Sequence, residues 1–176
     1  MWERIKLHVL KSWKKYFLNL FLVVMFIYGM HYWQTRDLLS ASGSILAPEF
    51  LLPDLQGVMH KLEPKKSQQT LLYFFAPWCS VCHLSISNLE KMKQSSTSDA
   101  LTVYAVALDY ENKESVADFM RKHQLSFPVL LGEARTRNDY KISVYPTYYI
   151  LDNEGYIHSH TVGYSTKLGF WWNLSF

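Results

Sequence analysis

What most constrains this chain is an uninterrupted apolar run, Leu71-Leu72-Tyr73-Phe74-Phe75-Ala76-Pro77, that ends on Trp78-Cys79-Ser80-Val81-Cys82. The run reads as a buried strand, and the residues after it recur at helical spacing, so the strand hands two thiols to the first turn of a helix. Cys79 and Cys82 are the only cysteines in the chain. A helix start offers unpaired amide donors and a partial positive charge, an environment suited to a thiolate at Cys79. Cys82, one turn further in, reaches back to Cys79, and the two-residue spacing lets the pair alternate between dithiol and disulfide with little backbone movement. The bland alternative is a pair of idle cysteines acting as small buried hydrophobes. Their place at a strand-to-helix junction behind a tryptophan favours the redox reading.

The rest of the chain supplies alternating strands and helices. A hairpin is expected over about 48–62, followed by a polar turn at Lys65-Lys66-Ser67-Gln68-Gln69 and the central strand near Thr70 to Ala76. Leu84, Ile86, Leu89 and Met92 give a helix to about Ser95, and Leu101 to Leu108 is a second buried strand. A helix over Lys113 to His123 carries Val116, Phe119 and Met120 on one face. Phe127 to Leu130 is a short extended piece and Arg135 to Ile142 a short helix. Asn153-Glu154-Gly155 turns between strands Tyr148 to Asp152 and Tyr156 to Val162, a closing hairpin. Ser165 is expected to cap a terminal helix whose Leu168, Phe170, Trp171 and Leu174 close the sheet. This order predicts one α/β domain with a mixed sheet and helices on both faces.

Ahead of that domain, residues 16–33 are almost all apolar, interrupted by Asn19, Gly29 and His31. The span meets the minimum of about 17 residues for a membrane helix and is bracketed by Trp13, Tyr16 and Phe17 on one side and Tyr28, Tyr32 and Trp33 on the other. Net charge is +3, yet Arg4, Lys6, Lys11, Lys14 and Lys15 against Glu3 place +4 in the first fifteen residues, leaving the remainder at −1. A near-neutral body has no basic face for nucleic acid. Basic residues crowd the N-terminal flank, so residues 1–15 form a cytoplasmic tail and the domain is expected across the membrane. A cleaved secretory signal is the competing reading. It needs small residues just past the apolar run, where Met30, His31, Tyr32, Trp33 and Gln34 stand instead. An uncleaved anchor is expected. Residues 34–46, rich in serine and glycine, read as a mobile tether to a domain over 47–176.

The aromatic and aliphatic strand running into Trp78-Cys79-x-x-Cys82 resembles the active-site signature of the thioredoxin fold. Val144-Tyr145-Pro146-Thr147 resembles the cis-proline loop that faces the cysteines in that fold. Ala47 to Gly57 resembles the opening hairpin of the TlpA/ResA/DsbE and peroxiredoxin-like branch. The ending, Val162-Gly163-Tyr164-Ser165-Thr166 and Gly169-Phe170-Trp171-Trp172, and the anchor-plus-domain layout are similar to membrane-tethered ScsD-type proteins. The resemblance implies a thioredoxin fold with an N-terminal hairpin behind one transmembrane helix. It implies a thiol-disulfide oxidoreductase in which Cys79 and Cys82 are catalytic and Trp78, Tyr145 and Pro146 meet the client. It also implies disulfide-containing client proteins, recharging by a transmembrane electron donor of the DsbD or ScsB kind, and placement in a bacterial inner membrane facing the periplasm. No cofactor is implied. Two positions depart from the family: Tyr73 stands where thioredoxin carries a buried aspartate, and Ser85 where several TlpA-like reductases place a glutamate.

Other chemistries remain open on the same residues. Cys79-Ser80-Val81-Cys82-His83 is also the pattern for covalent haem attachment, with His83 as axial ligand and Met59, Met92 or Met120 opposite. A soft thiolate pair beside a histidine also suits copper handling. As to direction, Ser80-Val81 lacks the histidine that stabilises the thiolate in strongly oxidising DsbA-like sites, so a reductant is expected.

Overall fold

The computed structural model describes residues 2–64, 68–95, 101–166 and 169–170, with the backbone alone over 2–12 and 14. The expected Lys65-Lys66-Ser67 turn, and Leu168, Trp171 and Leu174 of the expected terminal helix, lie outside the described residues. The chain divides into two units, one up to Asp37 and one from Leu38. The first is a single helix, α1 (Trp2–Thr35). Its stretch Lys15–Thr35 has 21 residues of the length and composition needed to cross a membrane; at 1.5 Å per residue it spans about 31 Å, close to a bilayer's hydrocarbon thickness.

The second unit opens with a hairpin, β1 (Leu51–Pro53) and β2 (Met59–Lys61), paired antiparallel. Asp54 closes its turn by accepting from the amides of Gln56 at 2.9 Å and Val58 at 3.0 Å. Then come β3 (Gln69–Phe75), α2 (Ser80–Ser95), β4 (Leu101–Ala107), α3 (Lys113–His123), β5 (Val129–Leu131), α4 (Ala134–Asp139), β6 (Thr147–Leu151) and β7 (Ile157–Val162). The five-stranded sheet runs β5-β4-β3-β6-β7. β3 pairs parallel to β4 and antiparallel to β6, the mixed sheet expected of a thioredoxin-like α/β fold.

Strand alternation sorts the core into two layers. Leu71, Tyr73 and Phe75 of β3 pack with Val103, Ala105, Tyr148 and Ile150 beneath α2 and α3, where Ile86, Leu89, Val116 and Phe119 meet them. Leu72 and Phe74 face the other way, with Val106, Tyr149 and Leu151, against Phe50, Leu52, Tyr140 and Ile142. A strand at the centre of such a sheet has no solvent face, hence its unbroken apolar sequence.

Three expectations need correction. Leu84 does not belong to the buried stripe of α2. It is 67% exposed, because Cys82, Ile86 and Leu89 fix the inward face and a residue two past Cys82 points roughly opposite. The segment expected as a mobile tether is docked from Leu38 onward: the Leu39 amide donates to the Tyr149 hydroxyl at 3.2 Å, the Gly43 amide to the Ile157 carbonyl at 3.0 Å, and the Ala47 amide to the Gly155 carbonyl at 2.9 Å. Leu38 is buried, and Leu39, Ala41 and Ile45 pack on the second core. The physical reason lies in those apolar residues spaced among the serines, and in the edge position of β7, whose unpaired backbone groups the segment satisfies. Finally, the cap at the C-terminal turn is Thr166 and not Ser165: its hydroxyl accepts from the Gly169 amide at 3.0 Å and its carbonyl from the Phe170 amide at 3.0 Å.

Candidate active site

β3 ends at Phe75, and the turn Ala76-Pro77-Trp78 swings the chain into α2 so that Cys79 stands at the position before the first helical residue. The Cys79 amide donates back to the Ala76 carbonyl at 3.0 Å, and the Cys79 carbonyl accepts the first helical bond, from His83, at 3.2 Å. Its sulfur accepts from the Cys82 amide at 3.3 Å. Cys79 therefore fills the capping role that serine or aspartate fills elsewhere, with a backbone donor aimed at Sγ. Cys79 keeps 7% of its surface exposed and Cys82 none. Burial, and secondarily the neighbouring Cys79, push the Cys82 thiol far up from its ordinary value; hydrogen bonds from the Ala76 backbone amide and the Tyr73 phenol, which favour the thiolate, oppose the shift.

Across from the thiols, the Tyr145–Pro146 bond is cis, and the Tyr145 carbonyl accepts from the Cys79 Sγ at 3.6 Å. The Gly163 amide donates to the Pro146 carbonyl at 2.8 Å, pinning the loop to the end of β7. Trp78 is 66% exposed and crosses the Tyr145 ring edge to face at 6.0 Å. The fold thus brings together all five residues singled out in the sequence: Trp78, Cys79, Cys82, Tyr145 and Pro146.

Hydroxyls occupy the two positions that lack carboxylates. The Tyr73 hydroxyl donates to the Cys82 carbonyl at 3.3 Å. Tyr148 donates to the Gly163 carbonyl at 2.9 Å, so its hydrogen bond with Ser85 must be donated by the serine. The Ser165 amide in turn donates to the Ser85 oxygen at 3.4 Å. Burial raises the Tyr73 and Tyr148 phenols well above their usual range, so both stay protonated under Cys82.

Three residues to which the sequence reading gave no role at the site shape the surroundings. Asp109, just past β4, accepts from Trp78 and Tyr145. Glu90 is a buried carboxylate held by Ser126 and Gln94. His123 shares a 2.7 Å hydrogen bond with His83 and meets the Ser87 hydroxyl at 3.2 Å. The only signal for Asp109 was its place at the carboxyl end of a buried strand adjoining the one that carries the cysteines. The Pro77 carbonyl faces the His83 ring, and burial lowers both imidazoles first, with Lys122 adding to the effect. The haem reading required a free imidazole, whereas His83 is engaged by His123 and Pro77. Met59, Met92 and Met120 lie on β2, α2 and α3, with Met92 packed in the core and Met59 exposed. For copper, no three His, Cys, Asp or Glu side chains among the described residues converge on a point that would hold an ion.

Comparison with known proteins agrees with this geometry. The AhpC/TSA family matches residues 45–160. The chain is 32% identical over 161 residues to the thioredoxin-like protein YneN of Bacillus subtilis, covering 90% of this chain and 94% of that protein. It is 27% identical over 122 residues to the thiol-disulfide oxidoreductase ResA of Geobacillus kaustophilus, covering 69% of this chain and 70% of that one. Among solved structures, StoA of Bacillus subtilis superposes with a TM-score of 0.61 at 27% identity, over 72% of this chain and 97% of that one. Sequence, fold and thiol geometry meet in one conclusion: the chain belongs to the AhpC/TSA family, as a thioredoxin-like thiol-disulfide oxidoreductase of the ResA and StoA type with a Cys-x-x-Cys pair.

Proposed function

We propose that this chain is a membrane-tethered oxidoreductase that reduces disulfides of client proteins on the outer, periplasmic side of a bacterial inner membrane. Residues 16–33 serve as an uncleaved single-pass anchor and residues 1–15 as its cytoplasmic tail, a layout similar to that of ScsD-type proteins. The observation that carries the chemistry is the asymmetry of the two sulfurs. Cys79 keeps a small exposed area under an amide donor and beside the Tyr145 carbonyl, while Cys82 is sealed.

In the forward direction the Cys79 thiolate attacks one sulfur of a client disulfide. The client S–S bond breaks, and its second sulfur leaves as thiolate and takes up a proton. Cys82 then loses its proton and attacks the Cys79 sulfur of the mixed disulfide, releasing the client as a dithiol and leaving Cys79 and Cys82 joined. The client has gained two electrons. A transmembrane dithiol donor of the DsbD or ScsB kind returns them by the same exchange. Trp78, Tyr145 and Pro146 form the face against which an extended client segment lies, with the Tyr145 carbonyl as its backbone acceptor.

Cys82→Ala in the native cell tests this. Clients should accumulate as mixed disulfides on Cys79, and absence of any trapped protein would refute the exchange role. Equilibration of the intact chain with a glutathione buffer fixes direction. A potential near thioredoxin's, about −270 mV, is expected, and one near DsbA's, about −120 mV, would make the protein an oxidant.

A further inference from the structure

Asp109 follows β4 and takes up φ +48°, a left-handed conformation that aspartate tolerates better than most residues. This turn aims its two polar ends at the active-site face. Its backbone carbonyl accepts from the Trp78 indole N–H at 2.9 Å. Its carboxylate accepts from the Tyr145 hydroxyl at 3.0 Å and is bridged by Arg137 Nη1, 3.2 Å from Oδ1 and 3.1 Å from Oδ2. Arg137 is itself fixed, because its Nε donates to the Ile142 carbonyl at 3.2 Å. One residue therefore accepts the ring hydrogen bonds of both aromatics that flank Cys79: Trp78 is the chain neighbour of that cysteine, and Tyr145 supplies the carbonyl that Sγ meets.

Stability does not explain this arrangement. The Asp109 and Arg137 side chains are 37% and 42% exposed, and an ion pair in that setting contributes about 0–1 kcal/mol. Trp78 buries little surface. Fixing two rings in place before a client arrives, by contrast, removes an ordering penalty that binding would otherwise carry.

We infer that Asp109 is a positioning residue for client recognition, holding Trp78 and Tyr145 as a preformed aromatic bracket around Cys79 so that protein clients are preferred to small disulfides. The inference rests on the client-reducing function proposed above and adds the element that selects the client. A small disulfide needs only access to the sulfur, whereas a peptide segment must also lie across the bracket.

The test uses the intact chain in detergent, with a chemical dithiol as electron source and two substrates, disulfide-bonded insulin and oxidised glutathione. In Asp109→Ala, the ratio of KM for insulin to KM for glutathione should rise about tenfold, the factor that corresponds to 1.4 kcal/mol. Fluorescence anisotropy of the full chain should fall as well, because alanine tolerates the φ +48° turn less well than aspartate and lets the backbone carbonyl at 109 swing away from the Trp78 indole, with Trp78→Phe identifying that ring's share. Asp109→Asn, which keeps an oxygen acceptor for Tyr145, should restore most of the ratio. An unchanged ratio in the alanine variant overturns the inference, as does an equal loss on both substrates, which would mark a merely structural role. If wild-type chain reduces neither substrate, the proposed direction has failed. The inference is then read in reverse, on oxidation of reduced insulin against reduced glutathione, where the same change in ratio is expected and its absence is again fatal.

Discussion

Cys82 carries a pH signature that can be worked out from its burial. The reduced thiol has no exposed surface and its proton is held far above the ordinary range, chiefly by desolvation and then by the adjacent Cys79. In the unfolded chain the same thiol titrates near 8.5. Below about pH 8 both states hold the proton and the group is silent. From there upward the unfolded state releases it and the native state does not, so stability is lost with rising pH until the folded value is reached. The slope is about 1.4 kcal/mol per pH unit, which gives about 2 kcal/mol between pH 8.5 and pH 10. Urea unfolding of the reduced chain in detergent, followed by tryptophan fluorescence, measures it against Cys82→Ala, which retains Cys79 and every other titrating group. The stability gap between the two proteins should shrink by that amount across the interval. A gap that stays level would mean that Cys82 titrates normally within the fold, and the sealed-thiol account would be wrong.

Further tests address the scaffold. Glu90 accepts from the Ser126 amide at 3.0 Å, the Ser126 hydroxyl at 2.7 Å and Gln94 at 2.8 Å while 5% exposed; Glu90→Leu leaves these donors unpaired and should cost about 3 kcal/mol in urea unfolding, with Glu90→Gln losing less. Gly132→Ala would place a Cβ 2.6 Å from Leu108 Cδ2, 2.7 Å from Val106 Cγ1 and 3.0 Å from the Ala107 carbonyl, and should lower stability by about 1–3 kcal/mol in the same assay. His83 and His123 are both shifted down, so acidification through the unfolded value of about 6.5 charges the unfolded chain first and removes stability as pH falls. Hydrogen exchange at the C-terminal end of α3 should accelerate below about pH 6 in the wild type and lose that dependence in His123→Gln.

The fold was legible wherever burial writes a continuous or periodic apolar pattern: β3, β4, β6 and the inward face of α3 stand within a residue or two of their expected places. Leu84 misled because leucine at a helical position suggests core, while the face is set by the set of buried neighbours and not by one residue's hydrophobicity. The stretch 38–46 misled because its composition is that of a linker, whereas the backbone bonds that dock it carry no sequence signature. At the site, the residues with distinctive chemistry were legible, and those that act by orientation were not. Asp109 lies 31 positions from Trp78, 28 from Arg137 and 36 from Tyr145, and only the return of β4 alongside β3 brings them together.

The central position of β3 has a consequence for the chain before it folds. Thr70 to Ala76 is a seven-residue stretch with no charge, no proline and no glycine, rich in aromatic residues, the composition that stacks readily into intermolecular sheets. In the native sheet both its edges are occupied, by β4 and by β6. The β4 side closes only after the α2 crossover has formed, and β6 is supplied from more than seventy residues downstream, so the strand that carries the thiols is also among the last to lose an open edge. Dryness around Cys82 is thus obtained with a segment that depends on prompt folding, and variants that slow the arrival of β6 are expected to lose yield through aggregation before they lose activity.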